Sequence, residues 1–306
     1  MTIQPAIIIN AASGADDKEV LREKLLELFL ARGVSPEISL VHQGQEVQSV
    51  ATQLLKKGHS PIVAGGGDGT IGAVASILRD QKTPMGVLPL GTLNHFAKDL
   101  KIPLDLEGAV DVILDGNIEA VDVAEVNDHV FINNSSLGLY PSIVHQREQQ
   151  QERLGRGKWL AFFSAALSVL RRYPFINVRL TADDIELNRS TPFVFIGNNE
   201  YQMEGVNIGG RSCLNGGKLS LHVAHRTGRW GLVRFAIKGL LGTLRNEKDL
   251  DVLCAKEIWI ESRRKYLRVA TDGEVTIMAM PLHYRIHPEG LRVLAPKSEP
   301  PAVAGG

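Results

Sequence analysis

The chain has 306 residues, 44% of them hydrophobic, and its 34 basic side chains balance 34 acidic ones. That length holds one large domain or two, and a net charge of zero gives no global field for nucleic acid, so no nucleic-acid partner is expected. Cys213 and Cys254 match no zinc spacing, the start "MTIQPAIIIN" lacks a charged leader, and the longest apolar helical run, 159–170, is too short to span a bilayer, so a cytoplasmic protein is expected.

Residues 6–10 ("AIIIN") read as a short buried strand, and 18–33 carry leucines at helical spacing up to Gly33. Strands follow at 37–41, 61–64 and 85–89, with helices at 44–57, 70–79, 93–100 and 105–115. Strands alternating with helices of this length predict a parallel sheet covered on both faces, an α/β domain over residues 1–122. Beyond it the rhythm changes. "VDVAEV", "HVFINNSSLG", "FINVRLTAD", "PFVFIGNN", "GKLSLHVAH", "EIWIES", "LRVATDGE" and "LHYRIH" are short, β-rich and bounded by turns, which predicts an antiparallel β-sandwich domain over residues 123–280. Two extra helices interrupt it, at 157–172 and 229–245, and 297–306 read as a disordered tail.

The stretch "PIVAGGGDGTIGAVASIL" (61–78) sets glycines between a strand and a helix, an arrangement that holds phosphate through backbone N–H groups and the helix dipole. Gly67, Gly69 and Gly72 satisfy the spacing of a dinucleotide fingerprint, but the next strand ends in "VLPLGT" and carries no ribose-binding acid. No Gly-Lys-Ser/Thr follows, so the loop is not a Walker A loop. Asp68 is the informative residue. A bare carboxylate beside a polyphosphate is repelled unless a divalent cation sits between them, so the loop reads as a magnesium–nucleotide site with Asp68 facing the ion through Mg-ATP. The competing reading makes Asp68 a cap for the next helix. His222 and His225 have no nearby acid to complete a metal pair, and Asp122 and Glu125 read as solvent-facing strand positions.

Three motifs in order, "GGGDGT" (65–70), "PLGTLNHFAKDL" (89–100) and "TDGE" (271–274), together with the closing "LRVLAP" (291–296), resemble the diacylglycerol kinase catalytic-domain family, bacterial soluble lipid kinases included. The resemblance covers the chain from Ile7 to Pro296. It implies an NAD-kinase-like α/β domain to which residues 281–296 return, a β-sandwich domain, and an active site between them. It further implies ATP and Mg²⁺ as cofactors, with Gly65, Gly66, Gly67, Asp68, Gly69 and Thr70 around the phosphates. Gly91, Thr92 and Asn94 would line the nucleotide cleft, and Glu274 would be the general base toward a lipid hydroxyl, with Asp272 beside it. The expected reaction is phosphorylation of a lipid, with diacylglycerol giving phosphatidic acid.

Some positions depart from the family pattern. His95 stands where an aspartate is usual, a threonine ahead of Gly44 is missing, and Gly216 in "NGGKL" replaces the aspartate that holds a structural magnesium in bacterial members. These departures leave open a catalytically silent nucleotide- or lipid-binding regulator. An NAD kinase shares the Gly-Gly-Asp-Gly loop, but "PLGTLNHFA" is not that family's continuation. A lipid substrate calls for peripheral membrane contact. Residues 205–246 contain no Asp or Glu, and the helix at 229–245 sets Arg234, Lys238 and Arg245 beside a leucine stripe. The stretch 145–172 adds six basic residues with Trp159, Phe162 and Phe163. Either segment could lie on an anionic bilayer or pack on the sandwich.

Overall fold

The run "AIIIN" is buried along nearly its whole length, as a strand covered on both faces requires, and it nucleates the first sheet as β1 (Ala6–Asn10). The computed structural model describes residues 4–11, 18–138, 175–204, 207–211, 213–224 and 250–297. The chain divides into two compact units, Met1–Val121 with Glu289–Gly306, and Asp122–Pro288.

In the first unit β1 is followed by α1 (Lys18–Leu30), β2 (Glu37–Val41), α2 (Gly44–Lys56), β3 (Ile62–Gly66), α3 (Asp68–Leu78), β4 (Met85–Pro89), α4 (His95–Asp99) and α5 (Leu106–Asp115). The strands lie in the order β2-β1-β3-β4 and pair in parallel, Ile8 beside Ser39 on one side and Ala64 on the other. This is the α/β layer that the alternation predicts. Its strand order places β1 and β3 side by side, so their carboxyl ends, Asn10 and the glycines after Ala64, meet at one edge of the sheet.

β5 (Asn117–Val126) leads into the second unit, and β18 (Leu282–Ala295) returns from it. Within the second unit, β15 (Glu257–Ser262) pairs antiparallel with β18 and with β8 (Ile176–Ala182), and β8 with β9 (Ile185–Thr191). A six-stranded sheet runs β14 (Leu250–Ala255), β13 (Leu219–Ala224), β10 (Phe193–Asn198), β7 (Asn134–Gly138), β16 (Tyr266–Thr271), β17 (Glu274–Ala279). β6 (His129–Phe131) pairs with β5, and β11 (Tyr201–Glu204) with β12 (Asn207–Arg211). The core draws on both sheets: Val178, Leu180, Ile258, Ile260 and Tyr284 from one, Leu137, Ile196, Leu221, Val223 and Val269 from the other. Alternation along β8 and β15 leaves every second residue outward, the pattern of a sandwich strand.

The stretch "LRVATDGE", expected as a β-rich segment bounded by turns, closes one strand and opens the next. β16 ends at Thr271, which pairs with Glu274 at the start of β17, and Asp272 and Gly273 form the two-residue loop with φ of 48° and 90°. Two positive φ values define the turn that matches strand twist, and Asp-Gly is a preferred pair for it. The predicted helices at 157–172 and 229–245 lie outside the described residues, as do 298–306 of the tail. Among the described residues no helix is long and apolar enough to cross a membrane.

Candidate active site

In the first unit two glycine loops meet backbone to backbone. A Cβ on Gly91 would come 2.5 Å from the Cα of Gly67, and one on Gly66 would come 2.6 Å from the Cβ of Thr70. Side chains at these positions would force the loops apart. Gly67 is the N-cap of α3 and offers no side-chain cap, so the first-turn amides of that helix keep their hydrogens for another acceptor. The positive end of the helix dipole lies at the same place.

Asp68 has its first partners within the protein. Its Oδ2 accepts the backbone N–H of His95 and its Oδ1 that of Phe96, each at 3.1 Å. The helix it caps is therefore α4, not α3, and the carboxylate ties the glycine loop to the second motif. Asn94 locks that motif from within: its Oδ1 accepts from the Gly91 amide at 3.0 Å, and its Nδ2 donates to the carbonyls of Gly91 and Pro89 at 2.8 and 3.2 Å. It does so in a left-handed conformation, φ 50°, which asparagine tolerates better than most residues. Thr92 is exposed beside it, whereas Thr70 is buried and its hydroxyl accepts from Asn10 Nδ2 at 3.1 Å. Sequence reasoning missed Asn10; the signal was a polar residue closing an otherwise apolar strand at the sheet edge where the glycines emerge.

In the second unit the Asp272 carboxylate is held by three amides. Oδ1 accepts from Asn133 at 2.8 Å and Asn134 at 3.1 Å, and Oδ2 accepts from Ile132 at 2.8 Å. Its own N–H donates to the carbonyl of Asn134 at 2.9 Å. The turn is thus fixed to the segment entering β7. Glu274, two residues on, is exposed, and its carboxylate is in no hydrogen bond or ion pair among the described residues. Of the two acids in "TDGE", one is locked and the other is open.

A diacylglycerol kinase catalytic-domain model matches residues 4–126, and a YegS C-terminal NAD kinase beta sandwich-like domain model matches 140–295. The chain belongs to the diacylglycerol kinase and YegS-like lipid kinase family. A protein of Enterobacter named "Probable lipid kinase YegS-like" is 28% identical over 262 residues, covering 83% of each chain. A Staphylococcus epidermidis diacylglycerol kinase is 29% identical over 181 residues, 58% of this chain, and that match spans 56% of its own length. Two Bacillus anthracis crystal structures, one described as a diacylglycerol kinase, share the fold over 96% of the chain and 97% of theirs. Their TM-scores are 0.76 and 0.69, at 23% and 20% identity.

At the "NGGKL" turn, where this lipid kinase family member has Gly216, two side-chain ends crowd the place a Cβ would take. A Cβ there would approach Asn199 Oδ1 to 2.9 Å and Cys213 Sγ to 3.0 Å. Two hydrogen bonds hold the turn: Gly216 N–H donates to Asn199 Oδ1 at 2.8 Å and Gly217 N–H to Asp122 Oδ2 at 2.6 Å. Asn198 Nδ2 bridges the carbonyls of Asp122 and Ile132, and Arg211 donates to the Ile132 carbonyl and to Asn133 Oδ1. Among the described residues no group of three His, Cys, Asp or Glu side chains is placed to hold a metal ion.

Asp122 and Glu125 are not solvent-facing as predicted; each is 1% exposed. A buried carboxylate needs partners. Asp122 finds the Gly217 amide, and Glu125 lies against Arg285 and, at 3.1 Å, His287. His222 is 3% exposed, and burial pushes its imidazole down to about 4, so the ring is neutral at ordinary pH. It stands edge-on to Phe195, whereas His225 lies outside the described residues.

Proposed function

We propose that this protein transfers the γ-phosphoryl group of Mg-ATP to a primary hydroxyl of a lipid, with diacylglycerol as the acceptor and phosphatidic acid as the product. Phosphoryl transfer asks for positioning and charge stabilisation more than covalent chemistry. The first-turn amides of α3 and the backbone of Gly65 to Gly69 would take the phosphate oxygens, and the loop from Gly91 to Asn94 would border the nucleotide. Asp68 sets the spacing of the two loops. Its carboxylate would face a magnesium ion carried by the nucleotide. Such an ion would neutralise charge on the transferring group.

Glu274 would accept the proton of the lipid hydroxyl as that oxygen attacks phosphorus, and Asp272 is the positioning residue that holds Glu274's turn. The observation that carries this assignment is the contrast within the turn: three amides fix Asp272, while Glu274 stands exposed and unpaired. General-base assistance is typically worth ~10²–10⁴-fold. Glu274→Gln is expected to cost turnover in that range while ATP affinity stays unchanged, measured with labelled ATP, a panel of lipid vesicles and chromatography of the products. Full activity in Glu274→Gln would remove the assigned base. Turnover with NAD in place of lipid would replace the acceptor class.

A further inference from the structure

The loop that carries the chain from β15 in one sheet to β16 in the other holds Arg263, Arg264 and Lys265 in succession, all exposed, and Arg268 is exposed on β16 three residues later. None of these four side chains is in an ion pair or side-chain hydrogen bond among the described residues. Arg268 lies directly across from Ile277 on β17, and Tyr266 directly across from Ala279. Tyr266 and Arg268 therefore share a sheet face with Ile277 and Ala279. Ile277 is 66% exposed and Tyr266 63%, the two most exposed large hydrophobic residues described. Single apolar residues at a surface need no explanation. Here the two extremes are diagonal neighbours on an edge strand pair, ringed by four free cations in a chain whose net charge is zero.

We propose that this loop and the β16–β17 face beside it dock on an anionic lipid bilayer. The cations would meet headgroup phosphates, the Tyr266 ring would sit at the headgroup level, and Ile277 would reach the acyl boundary. A nucleic acid would satisfy the charges but would leave Ile277 without an apolar partner. The nearby cleft of about 310 Å³ lined by Trp259, Met280, His283 and Arg285 does not compete for anions, because His283 is already paired with Glu257 and Arg285 with Glu125. The docking surface deepens the lipid-kinase reading by supplying the place where a bilayer acceptor is met, and it rests on that reading only for its purpose.

The test is flotation of the full chain, without nucleotide, on phosphatidylcholine vesicles with and without phosphatidylserine. A basic residue near such a surface is worth about five-fold in partitioning, so R263A/R264A/K265A should lose about a hundred-fold on the anionic vesicles, and the triple change to the alternative basic residue should restore it. I277S should bind more weakly at low and at high salt alike. In the wild type, hydrogen exchange over 263–277 should slow when anionic vesicles are added. The proposal is overturned if the wild type does not float, if the triple alanine variant floats as the wild type does, or if 263–277 gain no protection. Binding to duplex DNA with no binding to vesicles also overturns it. Vesicle binding through the 263–265 loop without phosphorylation of any lipid would leave the docking surface standing and remove the kinase reading instead. The triple variant should keep its turnover on a short-chain diacylglycerol in neutral detergent micelles and lose it on anionic vesicles.

Discussion

Among the described residues, the first unit fully buries polar side chains only at Thr70 and Asn94, both in or beside its glycine loops. The second unit buries Asp122, Glu125, Asn133, Ser135, Ser136, Thr191, Asn198, Asn199, Ser220 and His222. The α/β unit keeps an apolar interior and builds its site from backbone amides at strand ends, so its chemistry depends on loop conformation. The β-rich unit threads polar side chains through its interior, with Asp122, Thr191, Asn198, Asn199 and Ser220 hydrogen-bonded there. Asp68 and Asp272 show the difference in one residue type. Both accept backbone amides from a distant segment, but the amides of Asp68 open a short helix, whereas two of those bound by Asp272 belong to buried residues.

Removing each carboxylate is the sharpest way to probe that contrast. Asp272→Ala leaves three amide donors without their acceptor, and at 1–3 kcal/mol for a buried unsatisfied donor the expected loss is about 4 kcal/mol. Urea denaturation would measure it, and a loss below that of Asp68→Ala would erase the contrast. Acid comes next. The His222 imidazole is held neutral in the folded chain, with its titration lowered from 6.5 to about 4, so unfolding releases a group that binds its proton more readily. The stability it contributes is complete above pH 6.5 and is lost as the pH falls toward 4, about 3 kcal/mol in all. His222→Leu should flatten this part of the pH–stability curve; an unchanged slope would show that the acid sensitivity lies elsewhere. Smallest is Asp68→Ala, which removes a helix cap partly open to solvent and should cost about 1 kcal/mol in the nucleotide-free protein. A far larger loss would mean that the first unit also depends on a buried polar network.

The alternation of strands and helices was legible because each strand of the first unit is a short apolar run closed by glycine or a polar residue, and local pattern determines it. The glycine loops were legible for the same reason. Partners were not. Nothing near Asp68 in the chain indicates that its carboxylate serves amides 27 and 28 residues away, and nothing in "VDVAEV" shows that Arg285 and His287 come to Glu125. Asp122 and Glu125 differ in strand parity, so no single alternation could have put both in solvent, and this was a warning available in the sequence. The "TDGE" stretch misled in another way. Its Asp-Gly pair is first a hairpin loop, and taking "TDGE" as the close of its β-rich segment left β17 unread and, with it, the face that carries Ile277.

Strand β18 has a consequence for how the polypeptide matures. Its early residues pair with β15 through Tyr284 and Ile258, and its later ones lie against the first sheet through Val293 and Met85. A ribosome emits the first 121 residues long before it emits Val293, so the nascent α/β portion waits for its closing strand until the whole sandwich has been translated. Premature termination near Pro288 would strip apolar Leu291 and Val293 from the portion synthesised first, leaving that portion prone to aggregate even though both of its glycine loops had already been made.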